Sequence, residues 1–396
     1  MGAGSVVRSR TWWALGAVVV LATGGTLLAL DGSPERAGAS PDPVITVSRS
    51  ACGRGWADPK PGRQSFQLRN SGVSTAEVEL IDPGTGAIYG EVEGLGPGTT
   101  GTLRVRLGNG VYAFRCLVED TGALVGPSVR VTGAHGGSGP AVVPVTANDL
   151  LVPVREYRDH VIGGLATLAN LTGTLAAVVR GGDRAGSRAA WSAAHLSYER
   201  LGAAYGAFGD SDGAINGTAD SLAGGVGDPD FTGFHRLEYG LWHDEPMAAL
   251  TPVADRLDAD VRGLRDSFPD QQIDPNDLGL RAHEIMENTL RFELTAKTDY
   301  GSGTNIATAL ANLDGSRAVL TVLRPLLTSR LPNLAEVDSW VDRTDRALHA
   351  AQRPDGSWTP VPLLDHGLRQ KINAAVSELT ELLAPVATVT APRRTA

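Results

Sequence analysis

Lysine is nearly absent from this 396-residue chain: it stands only at positions 60, 297 and 371, so Arg carries almost all of the positive charge. Basic residues are outnumbered, 35 against 44 Asp and Glu, which leaves a net charge of −9. No excess positive field exists to collect phosphates, and nucleic acid is excluded as a general partner. Cysteine occurs only at 52 and 116, neither of them near the apolar N-terminal segment, which argues against lipid attachment to a cysteine there. Histidine is missing between residues 43 and 132. A mononuclear blue-copper centre needs two His and a Cys, so that stretch cannot build one. The His-Glu-x-x-His pattern of zinc peptidases is missing as well. His283-Glu284-Ile285-Met286-Glu287 shows only its first half, with no second imidazole for the zinc.

What is present is an ordinary globular composition, 42% apolar and 20% charged, at a length that suits two domains. At the N-terminus, Arg8 and Arg10 precede an uncharged stretch of twenty residues, 11–30. A secretory signal has an apolar core of roughly 7–15 residues and a spanning helix needs about 20, so a signal peptide and a membrane anchor both fit. Ala37-Gly38-Ala39 offers a small-residue cleavage site. Either way the rest of the chain is exported, to the cell envelope or the outer side of the cytoplasmic membrane. In that oxidising compartment a Cys52–Cys116 disulfide is the default, with a paired metal thiolate as the alternative.

From residue 43 to about 132, short apolar runs such as Ile45-Thr46-Val47, Phe66-Gln67-Leu68 and Leu103-Arg104-Val105-Arg106-Leu107 alternate at period two. Asp82-Pro83-Gly84, Gly94-Leu95-Gly96-Pro97-Gly98 and Gly108-Asn109-Gly110 punctuate them. This is the pattern of a small β-sandwich. A Gly-rich stretch, 133–144, reads as a flexible linker, and His135 within it as a solvated residue. The period then changes. Val154, Tyr157, Val161, Leu165, Leu168, Leu175 and Val178 recur at helical spacing until Gly181-Gly182, and Trp191, Ala194, Tyr198, Leu201, Tyr205 and Phe208 continue on a second helix. Further stripes at 250–268, 285–294, 318–327, 337–348 and 364–383 predict an all-α bundle over residues 145–388. The expected architecture is therefore multidomain: residues 1–42 as signal or anchor plus spacer, a β-sandwich over 43–132, a linker over 133–144, and the bundle.

The richest stretch for chemistry is Phe231-Thr232-Gly233-Phe234-His235-Arg236-Leu237-Glu238-Tyr239-Gly240-Leu241-Trp242. Phe234, Leu237 and Leu241 form a packing stripe, while His235 and Glu238 sit three apart on the adjoining face, as in metal-binding bundles. Most such pairs are surface hydrogen bonds. The apolar surroundings argue otherwise here, because a buried carboxylate without a partner is costly and is expected to find a cation. Glu199 is the candidate ligand from a neighbouring helix. His195, one turn before it, reads as a satisfied core or surface histidine. Asp228 is a weaker fourth candidate, since an Asp beside Pro229 is more often a turn or capping residue.

The stretch Phe231 to Trp242 resembles the His-x-x-Glu motif of the imelysin family, in its branch of EfeO-type iron-uptake proteins. Tyr198-Glu199-Arg200, Asp212-Gly213-Ala214-Ile215, Asn312-Leu313-Asp314-Gly315-Ser316 and Leu323-Arg324-Pro325 extend the similarity over about 145–385. Gly110-Val111-Tyr112-Ala113-Phe114-Arg115-Cys116 resembles a strand of the cupredoxin-like domain that precedes the bundle in longer EfeO proteins. The resemblance implies an iron-binding component of an EfeUOB-like system, with a metal at His235, Glu238, Glu199 and Asp228 and hand-off to a membrane iron permease. A haem peroxidase is a further partner it implies. His and carboxylate donors suit iron, with zinc as an alternative. Two departures stand out: Ile215-Asn216 where the family often carries Ile-Asp, and Gly303-Thr304-Asn305-Ile306-Ala307-Thr308-Ala309 in place of a polar His/Asp/Trp-rich stretch. In the β-domain, Glu77, Glu79, Cys52 and Cys116 could form another site, though a structural sandwich with one disulfide is the plainer reading. Since imelysin relatives have been classed among peptidases, a metallopeptidase is the competing function, and a scaffold without metal is the third. The missing second His and general base argue that the protein is not an enzyme.

Overall fold

The computed structural model of the protein describes residues 42–56 and 59–395. The apolar segment 11–30 and Ala37-Gly38-Ala39 lie outside the described residues. Among the described residues nine strands come first: β1 (Val44–Ser48), β2 (Ala51–Arg54), β3 (Gly62–Asn70), β4 (Ala76–Ile81), β5 (Ile88–Leu95), β6 (Thr100–Leu107), β7 (Gly110–Val118), β8 (Leu124–Val125) and β9 (Val129–Val131). They form two sheets, in the orders β2-β1-β3-β6 and β5-β4-β7-β8, with β9 also paired to β7. Register follows the alternation in the sequence. Ile45 stands beside Leu68, and Phe66 opposite Leu103, so the apolar members of each strand share the inner face. Ile45, Val47, Phe66, Leu68, Val78 and Leu80 from the two sheets are completely buried between them. Each such side chain contributes about 1.5–3 kcal/mol relative to exposure.

Cys52 on β2 and Cys116 on β7 are bonded to each other, Cα to Cα 5.8 Å, and no cysteine is free. The bridge ties the two sheets together through the core, so the thiols are not available as metal ligands. Two short strands, β8 and β9, follow β7, so the bridge reaches the third strand from the end of the sandwich.

Ten α-helices follow among the described residues: α1 (Ala147–Arg180), α2 (Arg184–Glu199), α3 (Tyr205–Phe208), α4 (Asp210–Asn216), α5 (Gly233–Trp242), α6 (Met247–Ser267), α7 (Pro275–Asn288), α8 (Asn305–Arg330), α9 (Leu334–His349) and α10 (His366–Thr390). A capping box between Thr146 and Asp149 starts α1 and Gly181 ends it, where the Gly-Gly pair predicted a stop. This helix is long and apolar enough to cross a membrane by length and composition, but its stripe of Leu150, Tyr157, Val161, Leu165 and Leu168 is buried in the bundle core. One expectation is corrected. The helix of Trp191 stops at Glu199, and Tyr205 and Phe208 lie on a separate short helix beyond a 3₁₀ turn, Gly202–Ala204. That break leaves Glu199 on the last turn of α2.

The two parts meet. Residues 133–144 run along the sandwich, with Gly139 N–H donating to Arg106 O and Val142 bridging Ile88. Arg393, just beyond α10, forks onto both oxygens of Glu91 on β5 at 3.1 Å each.

Candidate metal centre

Trp191 positions the centre. Its indole N–H donates to Phe234 O at 2.9 Å, holding α2 against α5 inside the core. At the start of α5, Gly233 has φ +76, and a Cβ there would lie 2.2 Å from Ile215 O. Only glycine lets the chain pass so close to the end of α4. Thr232 Oγ1 adds a bond to Ala214 O at 3.0 Å. The ends of α2, α4 and α5 are thereby fixed around one cavity of about 280 Å³, whose lining includes Glu199, Asp212, His235, Arg281, Glu284 and Glu293.

His235 and Glu238 are both buried, at 4% and 1% exposure. His235 Nδ1 pairs with Glu238 Oε2 at 3.1 Å, which leaves Nε2 as the nitrogen for the cavity. The other carboxylate oxygen of Glu238 is saturated: it accepts from the Tyr300 N–H and the Ser302 N–H at 3.1 Å each and from Ser302 Oγ at 2.6 Å. Gly301, at φ +124 and against Trp242, gives that loop its turn. Burial by itself would raise the Glu238 carboxyl, but His235 and Ser302 outweigh it and hold it below its ordinary range. Glu238 stays ionised and does not line the cavity. It orients the imidazole from behind, as a carboxylate behind a metal-bound histidine does.

Glu199 faces the same cavity from α2. Its Oε1 accepts from Asn216 Nδ2 at 2.8 Å and lies 3.2 Å from His195 Nε2. Burial opposes its charge, but His195, Asn216 and His235 together lower its pKa. In the His195 ring, burial opposes protonation and Glu199 overrides it, raising the pKa. His195 stacks on Trp191, centroids 4.7 Å apart, and meets the His235 ring edge-on at 5.5 Å. Among the described residues its two nitrogens have no well-directed hydrogen bond, and the Asn216 and Asn305 amide oxygens are also buried without a partner. Asn216 thus places a neutral carbonyl oxygen beside Glu199 in this cavity.

The sequence reading missed Glu293. It sits in a π-helical turn, Thr289–Glu293, that continues α7, a wide turn that recurs at functional sites and that α-helical periodicity does not reveal. Its oxygens accept from Thr298 Oγ1 at 2.7 Å and Asn305 Nδ2 at 2.8 Å. Burial, reinforced by Glu199, raises its pKa. Asp212, held by the Tyr198 hydroxyl, and Glu284, paired with Arg281 at 2.7 Å, complete the acidic lining. The structure does not bring Asp228 to this cavity. It lies five residues ahead of α5, accepting from the Gly224 and Asp230 N–H groups, and lines a separate depression with Phe231 and Arg236. Its backbone bonds hold its pKa down, as a turn-forming Asp beside proline requires.

A second acidic group lies on the sandwich. Glu77, Glu91 and Glu93 bring one carboxylate oxygen each to within 4.8 Å of one another. The register sets Glu79 opposite Glu91, and Glu77 and Glu93 follow on the same face at period two. Burial, then Glu79, Glu93 and Glu91, push Glu77 up to about 7. Glu79 itself is fully buried and paired with Arg115. The grouping considered from the sequence, Glu77 and Glu79 with the two cysteines, is therefore not assembled: the sulfurs are bonded in the core and Glu79 faces an arginine.

The chain matches the imelysin family, Peptidase_M75, over residues 153–386. It is 28% identical to the iron uptake system component EfeO of Yersinia pseudotuberculosis serotype I over 346 residues, spanning 86% of this chain and 90% of that protein. It is 25% identical to EfeO of Escherichia coli K12 over 350 residues, with 86% and 90% covered. A solved imelysin-like protein from Psychrobacter arcticum overlays with a TM-score of 0.43 at 15% identity, covering 61% of this chain and 98% of that one.

Proposed function

The chain belongs to the imelysin family, and we propose that within it the protein acts in iron acquisition as the exported iron-binding component of an EfeO-type uptake system. Its relation to EfeO proteins along most of both chains supports this reading. The observation that carries the site is the cavity where His235 and four buried or half-buried carboxylates, Glu199, Asp212, Glu284 and Glu293, converge with one nearby cation, Arg281. We assign His235 Nε2, Glu199 and Glu293 as iron ligands, with Asn216 as a neutral oxygen donor and Glu238 as the residue that orients His235. Imidazole and carboxylate donors without thiolate suit iron, and zinc as a competitor. The Glu77, Glu91 and Glu93 group is a second place for a hard cation. The domain division we propose is a cupredoxin-like sandwich over 43–132, a linker over 133–144 and the metal-binding bundle over 145–388, behind a signal or anchor segment.

Iron held this way is cargo: the ligands keep it in solution outside the membrane, and a permease takes it up. The haem peroxidase expected as a partner would act on iron at the same stage. Peptidase chemistry is disfavoured because His283, the one histidine followed directly by Glu in the sequence, does not line the cavity and bonds Thr380 O through Nδ1 at 2.9 Å. Titration with Fe(II), Fe(III) and Zn(II), repeated on His235→Ala, tests the assignment. A high-affinity equivalent lost in the variant is expected. No binding by the wild type would leave the bundle a scaffold, unchanged binding in the variant would move the site away from His235, and metal-dependent peptide cleavage would make it an enzyme.

A further inference from the structure

The four strands of the β2-β1-β3-β6 sheet contain no Asp or Glu and five Arg, in a chain whose net charge is −9. Register places all five on the outer face. Arg63 stands directly opposite Arg106, Ser65 opposite Arg104, and Arg54 opposite Thr46. Arg69 shares this face two positions beyond Gln67. All five side chains are exposed, and none makes an ion pair or a side-chain hydrogen bond among the described residues. Like charges facing each other across strands are destabilising. Sheet folding gains nothing from the arrangement, so its use lies in something outside the sheet.

The surface spans about 20 Å along the strands and 14 Å across them, and it carries the Asp42 carboxylate against five arginines. Its relief is a shallow depression of about 760 Å³ that includes Asp42, Arg63, Ser65, Tyr89, Arg104 and Arg106. The chain enters the sheet on this same face: the Asp42 carboxylate accepts from Ser65 Oγ at 2.8 Å and Gln67 Nε2 at 3.2 Å. Val44 beside it is 51% exposed. In sequence, the apolar run 11–30 ends twelve residues before Asp42.

We infer that this sheet face docks on a membrane through anionic phospholipid headgroups, with Arg54, Arg63, Arg69, Arg104 and Arg106 as the contacts. A flat arginine array fits a plane of phosphates, which guanidinium groups bind by paired hydrogen bonds. Its position where the chain arrives from the apolar run favours a bilayer over an acidic protein. The inference rests on the exported reading and, in choosing a bilayer, on the apolar run remaining with the chain as an anchor, and it is independent of the metal ligands.

Full-length protein is partitioned onto phosphatidylcholine vesicles with and without 30% phosphatidylglycerol, as wild type, as Arg63→Glu/Arg104→Glu/Arg106→Glu, and as the milder Arg→Gln triple. Any insertion of residues 11–30 acts on both vesicle types, so the gain from anionic lipid is the readout. Each basic residue near an anionic surface is worth about fivefold in partitioning. The neutral triple is expected to lose about a hundredfold of that gain and the reversed triple at least as much, and 0.5 M salt should collapse it for the wild type. Reversal of Arg155, Arg346 and Arg353 on the bundle, with the same change in net charge, should leave most of it. Equal loss in that control, no preference for anionic lipid, or undiminished binding by both sheet triples overturns the inference. Capture of a soluble acidic protein by the same arginines without lipid preference also overturns it. His235→Ala should dock normally, and the sheet triples should still bind iron, so this test and that of the metal centre fail separately.

Discussion

Glu238→Gln separates an orienting carboxylate from a ligand, because the two side chains have the same shape. At Glu238, one oxygen faces three donors, Tyr300 N–H, Ser302 N–H and Ser302 Oγ, while the other faces only His235 Nδ1. Placing the amide nitrogen on the crowded side would leave those donors unmatched, at about 1–3 kcal/mol each. The amide therefore turns its nitrogen to His235 and donates to Nδ1. That fixes the tautomer with the proton on Nε2, the atom proposed as the ligand. Loss of such support costs 10–100-fold in metal affinity, or about 1.4–2.7 kcal/mol. The apo protein also loses one charge-assisted buried bond, worth about 1.5–3 kcal/mol. Chelator competition with Zn(II), and anaerobically with Fe(II), reads the affinity, and urea unfolding reads the stability. One equivalent of metal should remain, bound more weakly than in wild type and more tightly than in His235→Ala. Affinity equal to wild type, or loss of the bound equivalent as complete as in His235→Ala, would refute the orienting role.

Removing the disulfide as Cys52→Ala/Cys116→Ala should cost about 4 kcal/mol, since the bridge closes a span of 64 residues in the unfolded chain; urea unfolding with and without reductant measures it. Gly233→Ala, which touches no ligand, should weaken metal binding at least tenfold and destabilise the fold, because its methyl meets the Ile215 carbonyl and its φ is positive; a crystal structure with α5 unmoved and normal binding would contradict this. Glu77, raised to about 7 from 4.5, favours folding while protonated, so its contribution is full below pH 4.5 and is lost as pH rises through 7. In metal-free protein, the pH dependence of Tm between 4.5 and 7 should therefore slope downward more for wild type than for Glu77→Gln. A divalent cation at Glu77, Glu91 and Glu93 should release close to one proton at pH 6, read from the buffer dependence of the binding enthalpy.

Much of this was legible in one dimension. Alternation at 45/47, 66/68 and 103/105/107 sets which side chains face inward, because strand period is two and a one-residue slip would expose every one of them. The stripe from Val154 to Val178 and the Gly181-Gly182 stop define α1 for the equivalent reason at period 3.6. His235 and Glu238 were found together because three residues along a helix is a fixed distance in space. Periodicity failed where the backbone leaves the ideal helix. The stripe through Tyr205 and Phe208 continued across a real break after Glu199, and Glu293 was hidden by the π turn.

By itself, then, the sequence determined the two fold classes, their order along the chain, and the pairing of local neighbours, since each depends on spacing within one element. Only the tertiary structure shows which side chains meet at the centre. Whether Glu238 holds a metal or a histidine depends on the Tyr300 and Ser302 amides, some sixty residues away, that saturate one of its oxygens. Asp228 is the near neighbour of His235 in sequence, while Glu293 joins it in space. Five arginines scattered among three strands share a face only through sheet register. Contacts of that kind are set by the packing of separate elements against one another, which no local period encodes.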